Sequence, residues 1–473
     1  VSKKSSVKII SGSMLTIFVG LVMVFGIYNC CFSMKAKLDN YIKSYVDLDL
    51  FRGAVLVAKD GKILLCKAYG MANVELDVPN KIDTKFRLGS ITKQFTAMAI
   101  MQLKEKGFLD LQDPLSKYIP DYPNGDKITI HHLLSQTSGI PEIFSIEGVS
   151  KKTVKTHTLE KLISRFKDKP LDFNPGEKFA YSNSNYMLLT YIIEKVSGKK
   201  YETFLKENIF EPLNMKDTGY DDYNRIIKNR ASGYSLYNGE LENADYVDMS
   251  FPSGAGALYS TVKDLYLWDQ ALYTDKLVSQ ESIKKIFTPY IDSSNSIPKT
   301  EYGYGWFIQS SPHGKLVSHG GQINGFSAFI SRYIENKVCI IILSNFAYTS
   351  VWQISENLAD ITFGKKPNYT PKKHIEITVD PKIYDELVGT YKSDSGNKTF
   401  DKTFVVTKEN DKLFGTCMIS GGKIVLHPET ESDFFASLDQ KFSFIKNKDG
   451  KVAKVILHFW GQDITADKVE EKV

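Results

Sequence analysis

Short β-prone apolar runs lie near both ends of the chain, and apolar residues recur at helical spacing in its middle. Gly53–Lys59 (GAVLVAK) and Lys62–Tyr69 (KILLCKAY) are joined by Asp60-Gly61, and Asp-Gly between two such runs predicts a tight hairpin. Just upstream, Asn40–Asp49 predicts an amphipathic helix. Ser90–Lys106 (SITKQFTAMAIMQLKEK) predicts a helix that opens on a serine N-cap and stops at Gly107. It is apolar on most faces, so the helix is expected to be buried. Helical periods follow at Leu159–Lys167, Tyr186–Val196 and Lys263–Leu272. Strand patterns return at Lys315–His319, Phe326–Tyr333 and Lys337–Leu343, with Glu335-Asn336 turning the last pair. Strands from both ends with helices between them predict an α/β (α+β) domain. In it the two chain ends build one antiparallel sheet, flanked by helices and carrying a helical subdomain on one side.

The pattern breaks at Gly364–Asp380, where two prolines and four lysines predict an exposed linker. Residues 381–473 then read as short strands separated by turns such as Lys448-Asp449-Gly450, which predicts a small all-β module. At the other end, Lys3, Lys4 and Lys8 precede an uncharged run, Ile9–Met34, whose centre Met14–Phe25 is strongly apolar. A cationic leader before an apolar stretch is the pattern of an export signal. The run is also long enough to stay in a bilayer as an anchor. Lysines on its N-terminal side keep that side cytoplasmic, so the body is expected outside the cytoplasm, secreted or membrane-anchored. Cleavage after Ser33 would use Cys31 and Ser33 as the small residues of the processing site. A lipid on Cys30 fits less well, given Tyr28 and Asn29. The expected organisation is a leader or anchor over 1–34, a main domain over 35–363, a linker over 364–380 and a β module over 381–473.

Composition narrows the chemistry. The 473 residues suit two or three domains, and 42% hydrophobic with 24% charged is ordinary for a globular protein. The net charge of +5 is mild and its lysines are interspersed with acids, so no nucleic-acid partner is indicated. Of five cysteines, two lie in the apolar leader and the rest are scattered, with neither CxxC nor zinc spacing. HExxH, GxxxxGK[ST] and a strand-linked GxGxxG are absent, which argues against metalloprotease, P-loop and dinucleotide chemistry.

Three weak elements remain. Ser90 and Lys93 share one helix face, and a lysine amine in reach can take a serine hydroxyl's proton. Ser-x-x-Lys also occurs at Ser164, Ser197, Ser260 and Ser282, so the tetrad alone carries little. What distinguishes Lys93 is the apolar helix around it, because a buried lysine needs a reason. Tyr181-Ser182-Asn183 follows Asn174-Pro175-Gly176; a phenol can shuttle protons and an asparagine amide can bond both a lysine and a substrate amide. Tyr122-Pro123-Asn124 is a decoy for this element. Ser318-His319-Gly320-Gly321-Gln322 ends a predicted strand, where glycines would let a substrate backbone approach a strand edge.

Taken in order, these elements carry a family resemblance. Phe86-Arg87-Leu88-Gly89-Ser90-Ile91-Thr92-Lys93 resembles the nucleophile motif of class C β-lactamases and related penicillin-binding proteins, esterases and D-aminopeptidases. His132–Gly139 is similar to their Leu-Leu-x-His-Thr-Ser-Gly stretch, with Gln136 where that histidine often stands. Tyr181-Ser182-Asn183, Tyr302-Gly303-Tyr304-Gly305-Trp306, His319-Gly320-Gly321 and Asn324-Gly325-Phe326 match the later landmarks. The resemblance spans about residues 40–360 and is closest to the penicillin-binding protein 4*-like and esterase-like branch. Residues 381–473 resemble a lipocalin-like β-barrel.

The resemblance implies a serine β-lactamase/DD-peptidase fold followed by that barrel. It implies Ser90 as nucleophile, Lys93 and Tyr181 as the proton relay, and Asn183, His319 and Gly321 as substrate-binding or orienting residues. The backbone N–H groups of Ser90 and Gln322 would form an oxyanion hole. No metal or organic cofactor is implied. The partners expected are small-molecule or peptide substrates, including cell-wall peptides or a β-lactam, and a membrane if the leader is kept. β-Lactamases carry Lys-Thr-Gly where this chain has His319-Gly320-Gly321, so a fixed cation gives way to an imidazole mostly neutral at pH 7. That departure favours hydrolysis of D-amino-acid peptides, cell-wall fragments or small esters. The alternatives are a penicillin-acylated sensor with little turnover, or a weak β-lactamase.

Overall fold

The computed structural model describes residues 33–146, 153–237, 240–293, 299–393, 403–416, 423–437, 440–459 and 462–469. The leader or anchor expected over 1–34 therefore lies almost wholly outside the described residues. Among those described, no helix is long and apolar enough to cross a membrane.

The two chain ends do build one sheet. Its strands are β1 (Gly53–Lys59), β2 (Lys62–Tyr69), β3 (Ile291–Asp292), β4 (Thr300–Tyr302), β5 (Phe307–Ser311), β6 (Gly314–Ile323), β7 (Phe326–Tyr333) and β8 (Val338–Ser344). Their spatial order is β3-β4-β5-β6-β7-β8-β1-β2, with every neighbouring pair antiparallel. β1 is the seam, running from Gly53 opposite Ser344 to Lys59 opposite Val338. Asp60 and Gly61 both take positive φ, as the tight hairpin requires.

The central strands are buried on both faces, and the period of two sorts their side chains. Val55, Val57, Ile340 and Ile342 face α1 (residues 33–46) and α5 (Val351–Thr362), packing on Leu38, Ile42, Ile354 and Leu358. Ala54, Leu56, Ile341 and Leu343 face the other way, into the larger core. That core contains α2 (Thr92–Glu105), α3 (Asn183–Ser197) and α4 (Val262–Ala271).

Several predicted boundaries move. The first helix starts before residue 40 and ends at 46, and the segment 47–49 is a turn. The helix expected over Leu159–Lys167 is confined to Leu159–Ile163. β6 runs on past His319 to Ile323 and takes in both glycines. Ser90 is not the N-cap of a long helix. A 3₁₀ turn at Gly89–Ile91 precedes α2, and no side-chain cap bond is made at either start. The Ser90 hydroxyl is thereby left for other work.

The C-terminal strands, from Gly389–Ser393 to Gln462–Val469, form a closed eight-stranded antiparallel barrel in which the first pairs with the last. Its inside is filled by side chains, with the Phe404 and Phe442 rings stacked at 5.3 Å and Phe434 edge-on to Phe444 at 5.6 Å. Tyr384 and Leu387, from the short helix Ile383–Leu387, join that core.

One ion pair pins α4 to the sheet. Arg332 on β7 and Asp269 on α4 are each 1% exposed at the side chain, with Arg332 Nε donating to Asp269 Oδ1 at 2.5 Å. Tyr273 and Phe287 stack on the guanidinium at 4.6 and 5.3 Å. Removing one partner of a buried pair strands the other's charge. Asp269→Ala is therefore expected to lower unfolding free energy by about 3–5 kcal/mol, measured by reversible denaturant titration against the parent.

Candidate active site

Two backbone segments cross at Ser90. Phe86–Arg87 pairs with Leu258–Ser260, and Leu88 N–H donates to Leu258 O at 2.8 Å, so the turn Leu88-Gly89-Ser90 leaves a small sheet and lies against β6. The contact is too tight for a side chain on either strand. A Cβ on Gly321 would sit 1.9 Å from Leu88 O, and one on Gly89 would sit 2.7 Å from Gln322 N. Gly89 also takes φ +51. Gly321 thus makes room for the turn that carries Ser90.

β6 pairs with β5 only through residues 314–318, so residues 319–323 form an open edge beside Ser90. The two-residue turn Asn324-Gly325 is closed by the Ile323–Phe326 pair. Alternation along an antiparallel ladder then turns the Gln322 N–H away from β7 and toward Gly89. The backbone N–H groups of Ser90 and Gln322 therefore belong to the two segments that meet here.

Lys93, one helical turn on, is fully buried. Its Nζ lies 3.0 Å from Ser90 Oγ, 2.7 Å from Asn183 Oδ1 and 2.9 Å from the Ala255 carbonyl. The Tyr181 and Tyr186 rings lie 4.7 and 5.5 Å away. Burial brings the amine down to about 7, against an opposing pull from Glu142. Burial also pushes the Tyr181 phenol well above its usual range; Tyr302 adds to this, and hydrogen bonding with Ser90 works the other way. The amine and the phenol are thus driven apart, with the amine left as the group that can be a base near neutral pH.

His319 is buried, and burial, helped by the charge on Lys93, holds it down at about 3. Its Nδ1 faces the Gly320 carbonyl at 2.5 Å, so Nδ1 carries the proton and Nε2 accepts from the Tyr302 hydroxyl at 3.3 Å. The imidazole is neutral and committed to Tyr302. Its ring centroid lies 6.2 Å from that of Tyr181.

Two residues outside the expected set hold the others. Gln136 is fully buried at φ +61. It accepts Ala180 N–H at its carbonyl (3.0 Å) and Ser182 N–H at Oε1 (3.1 Å), clamping both neighbours of Tyr181. Glu142 accepts from the backbone N–H of Asn183 and from Asn183 Nδ2 at 3.0 Å. The positive φ at Gln136 had no signal in the sequence, and Glu142 lies outside every motif. Among the described residues, no cluster of His, Cys, Asp and Glu could hold a metal ion.

Known proteins resemble this chain in sequence and in fold. The family described as Beta-lactamase matches residues 38–360. Penicillin-binding protein 4* of Bacillus subtilis (strain 168) is 33% identical over 457 residues, covering 89% of this chain and 98% of its own. The octameric penicillin-binding protein homologue from Pyrococcus abyssi superposes with a TM-score of 0.65 at 28% identity, covering 91% of this chain and 99% of that one. A D-stereospecific amidohydrolase from Streptomyces sp. superposes with a TM-score of 0.60 at 25% identity, over 70% of this chain and 97% of that one.

Gly321→Ala tests the backbone crossing. Its methyl must displace the Leu88–Ser90 turn, and a displacement of about 1 Å costs on the order of 10²-fold in rate. Modification of Ser90 by an activated phosphonate, followed by intact mass, is expected to slow by that factor.

Proposed function

This chain belongs to the Beta-lactamase family, and on that premise we propose that it is a serine hydrolase working through an acyl-serine intermediate on D-amino-acid peptides, cell-wall fragments or small esters. The observation that carries the reading is the set of partners around the Lys93 amine. A neutral amine has two N–H bonds and one lone pair. The Ala255 carbonyl and Asn183 Oδ1 accept only, so they claim the two N–H bonds. The lone pair is left facing Ser90 Oγ at 3.0 Å.

In this mechanism Ser90 Oγ bonds to the substrate carbonyl carbon while its proton passes to Lys93 Nζ. The carbonyl oxygen becomes an oxyanion that accepts from the backbone N–H groups of Ser90 and Gln322, each worth on the order of 3 kcal/mol. The proton on Lys93 then reaches the leaving nitrogen or oxygen by way of the Tyr181 hydroxyl. The phenol is held protonated by burial and can give a proton as it takes one. The carbonyl–leaving-group bond breaks. Water attacks the acyl-enzyme, and its proton passes to Lys93 and on to Ser90 Oγ as the acid departs.

Charge supports this substrate class. A neutral His319 stands where a fixed cation would hold a β-lactam carboxylate. Peptide, amide or ester substrates without that carboxylate suit the site better, and the likeness to a D-stereospecific amidohydrolase supports the amide side of this reading.

Ser90→Ala is expected to abolish covalent labelling by a fluorescent penicillin or a phosphonate; labelling at the parental level would remove Ser90 from the mechanism. The second expectation concerns pH. Lys93 must be neutral to act as base and titrates at about 7. Below that pH, kcat/KM for a p-nitrophenyl ester should fall about tenfold per pH unit, and it should level off above it. A flat profile between pH 5 and 8 would assign the base elsewhere.

A further inference from the structure

Glu142 reaches the site from the loop after Ile140 and Pro141, and its hydrogen bonds go to Asn183 and Phe144, not to Ser90 or Lys93. One carboxylate oxygen accepts the Asn183 backbone N–H, and the other accepts Asn183 Nδ2 at 3.0 Å and Phe144 N–H at 3.2 Å. This also caps α3, because the residue at its N-cap, Ser182, makes no side-chain cap bond.

An ionised carboxylate offers acceptors only. It therefore holds the Asn183 amide with Nδ2 toward Glu142 and Oδ1 toward Lys93, 2.7 Å from Nζ. Were the amide turned over, its NH₂ would face the amine and compete with the Ser90 hydroxyl for the one lone pair. We propose that Glu142 is a positioning residue that fixes the Asn183 amide and so aims the Lys93 lone pair at Ser90. The inference rests on the reading of Ser90 and Lys93 given above.

The surroundings of the amine leave Glu142 as its charged neighbour. Facing Nζ are Ser90, Asn183 and the Ala255 carbonyl by hydrogen bond, and the Tyr181 and Tyr186 rings by their faces. His319 and Glu142 act on it through space. Burial keeps both phenols protonated and His319 neutral at pH 7. Glu142 is left as the anion of the group, favouring the protonated amine.

Glu142→Gln keeps the shape but brings a donor to Asn183, which frees the amide to turn over, and it removes the anion. Acylation of Ser90 by p-nitrophenyl acetate is expected to slow about 10–10²-fold with KM unchanged. The acid limb of the profile should move to lower pH by on the order of one unit, and the thermal midpoint should hold. An unchanged rate overturns the proposal. So does a slower rate with an unmoved limb, which would mark a structural role only. Glu142→Asp, still charged and acceptor-only, should keep the parental limb; a limb displaced as far as in Glu142→Gln overturns the proposal. NMR titration of ¹³Cε-labelled Lys93 reads the same relation without catalysis. A lower midpoint in Glu142→Gln supports the proposal even if the parent is never acylated, a result that would sink the serine-hydrolase reading instead. Equal midpoints overturn the proposal even if the parent turns over.

Discussion

A lysine amine cut off from water is the constraint around which the rest of the main domain is arranged. Burying a charged ammonium without partners is prohibitive, so the group must be surrounded by acceptors or give up its proton. Here both happen. Lys93 has three oxygens around it, and burial brings it down to about 7. Each oxygen comes from a different segment, 3, 90 and 162 residues away. In the proposed mechanism the amine relies on all three to act as a base.

The means of placing them is close approach of backbone. The Ala255 carbonyl is delivered by a turn in which Ser253 takes φ +47 and Gly254 leaves no room for a Cβ, which would lie 2.1 Å from Thr190 Oγ1. Gly305, at φ +77, brings the Tyr302–Trp306 segment onto the Lys93 carbonyl itself, where a Cβ would lie 2.8 Å away. Gly89 and Gly321 do the same for the Ser90 turn and β6. Glycines recur in the motifs because backbones pass within contact distance there, while the side chains that do chemistry are few.

This explains what was legible in the sequence. Short apolar β-prone runs and the Asp60-Gly61 turn disclosed β1, β2, β7 and β8, because both are local signals that tertiary packing only reinforces. The joining of the chain ends in one sheet was legible as a topology, and the order of Ser90, Lys93, Tyr181 and His319 pointed to the region where they meet. Ser90 was misread as a cap because a serine before an apolar helix is a cap by local rules, and the 3₁₀ turn that overrides them is imposed by β6. Gln136 and Glu142 were out of reach for a different reason. Their importance lies in which backbone groups they bond across 41 to 46 residues, and no local pattern carries that.

The charges around the amine then limit what the site can attract. Lys93 is its cation only while protonated, and it must lose that proton to act as a base. His319 is neutral through its burial and its bond to Tyr302. A substrate carboxylate would therefore find no permanent positive charge among these groups, and Glu142 behind Asn183 would repel it. The opposite holds for the reaction's own charge. In the proposed mechanism the oxyanion forms as Lys93 takes up the Ser90 proton, so the amine becomes cationic at the moment an anion needs it. An arrangement that is nearly neutral at rest and polar in the transition state favours rate over ground-state binding. That follows from burying the amine in the first place.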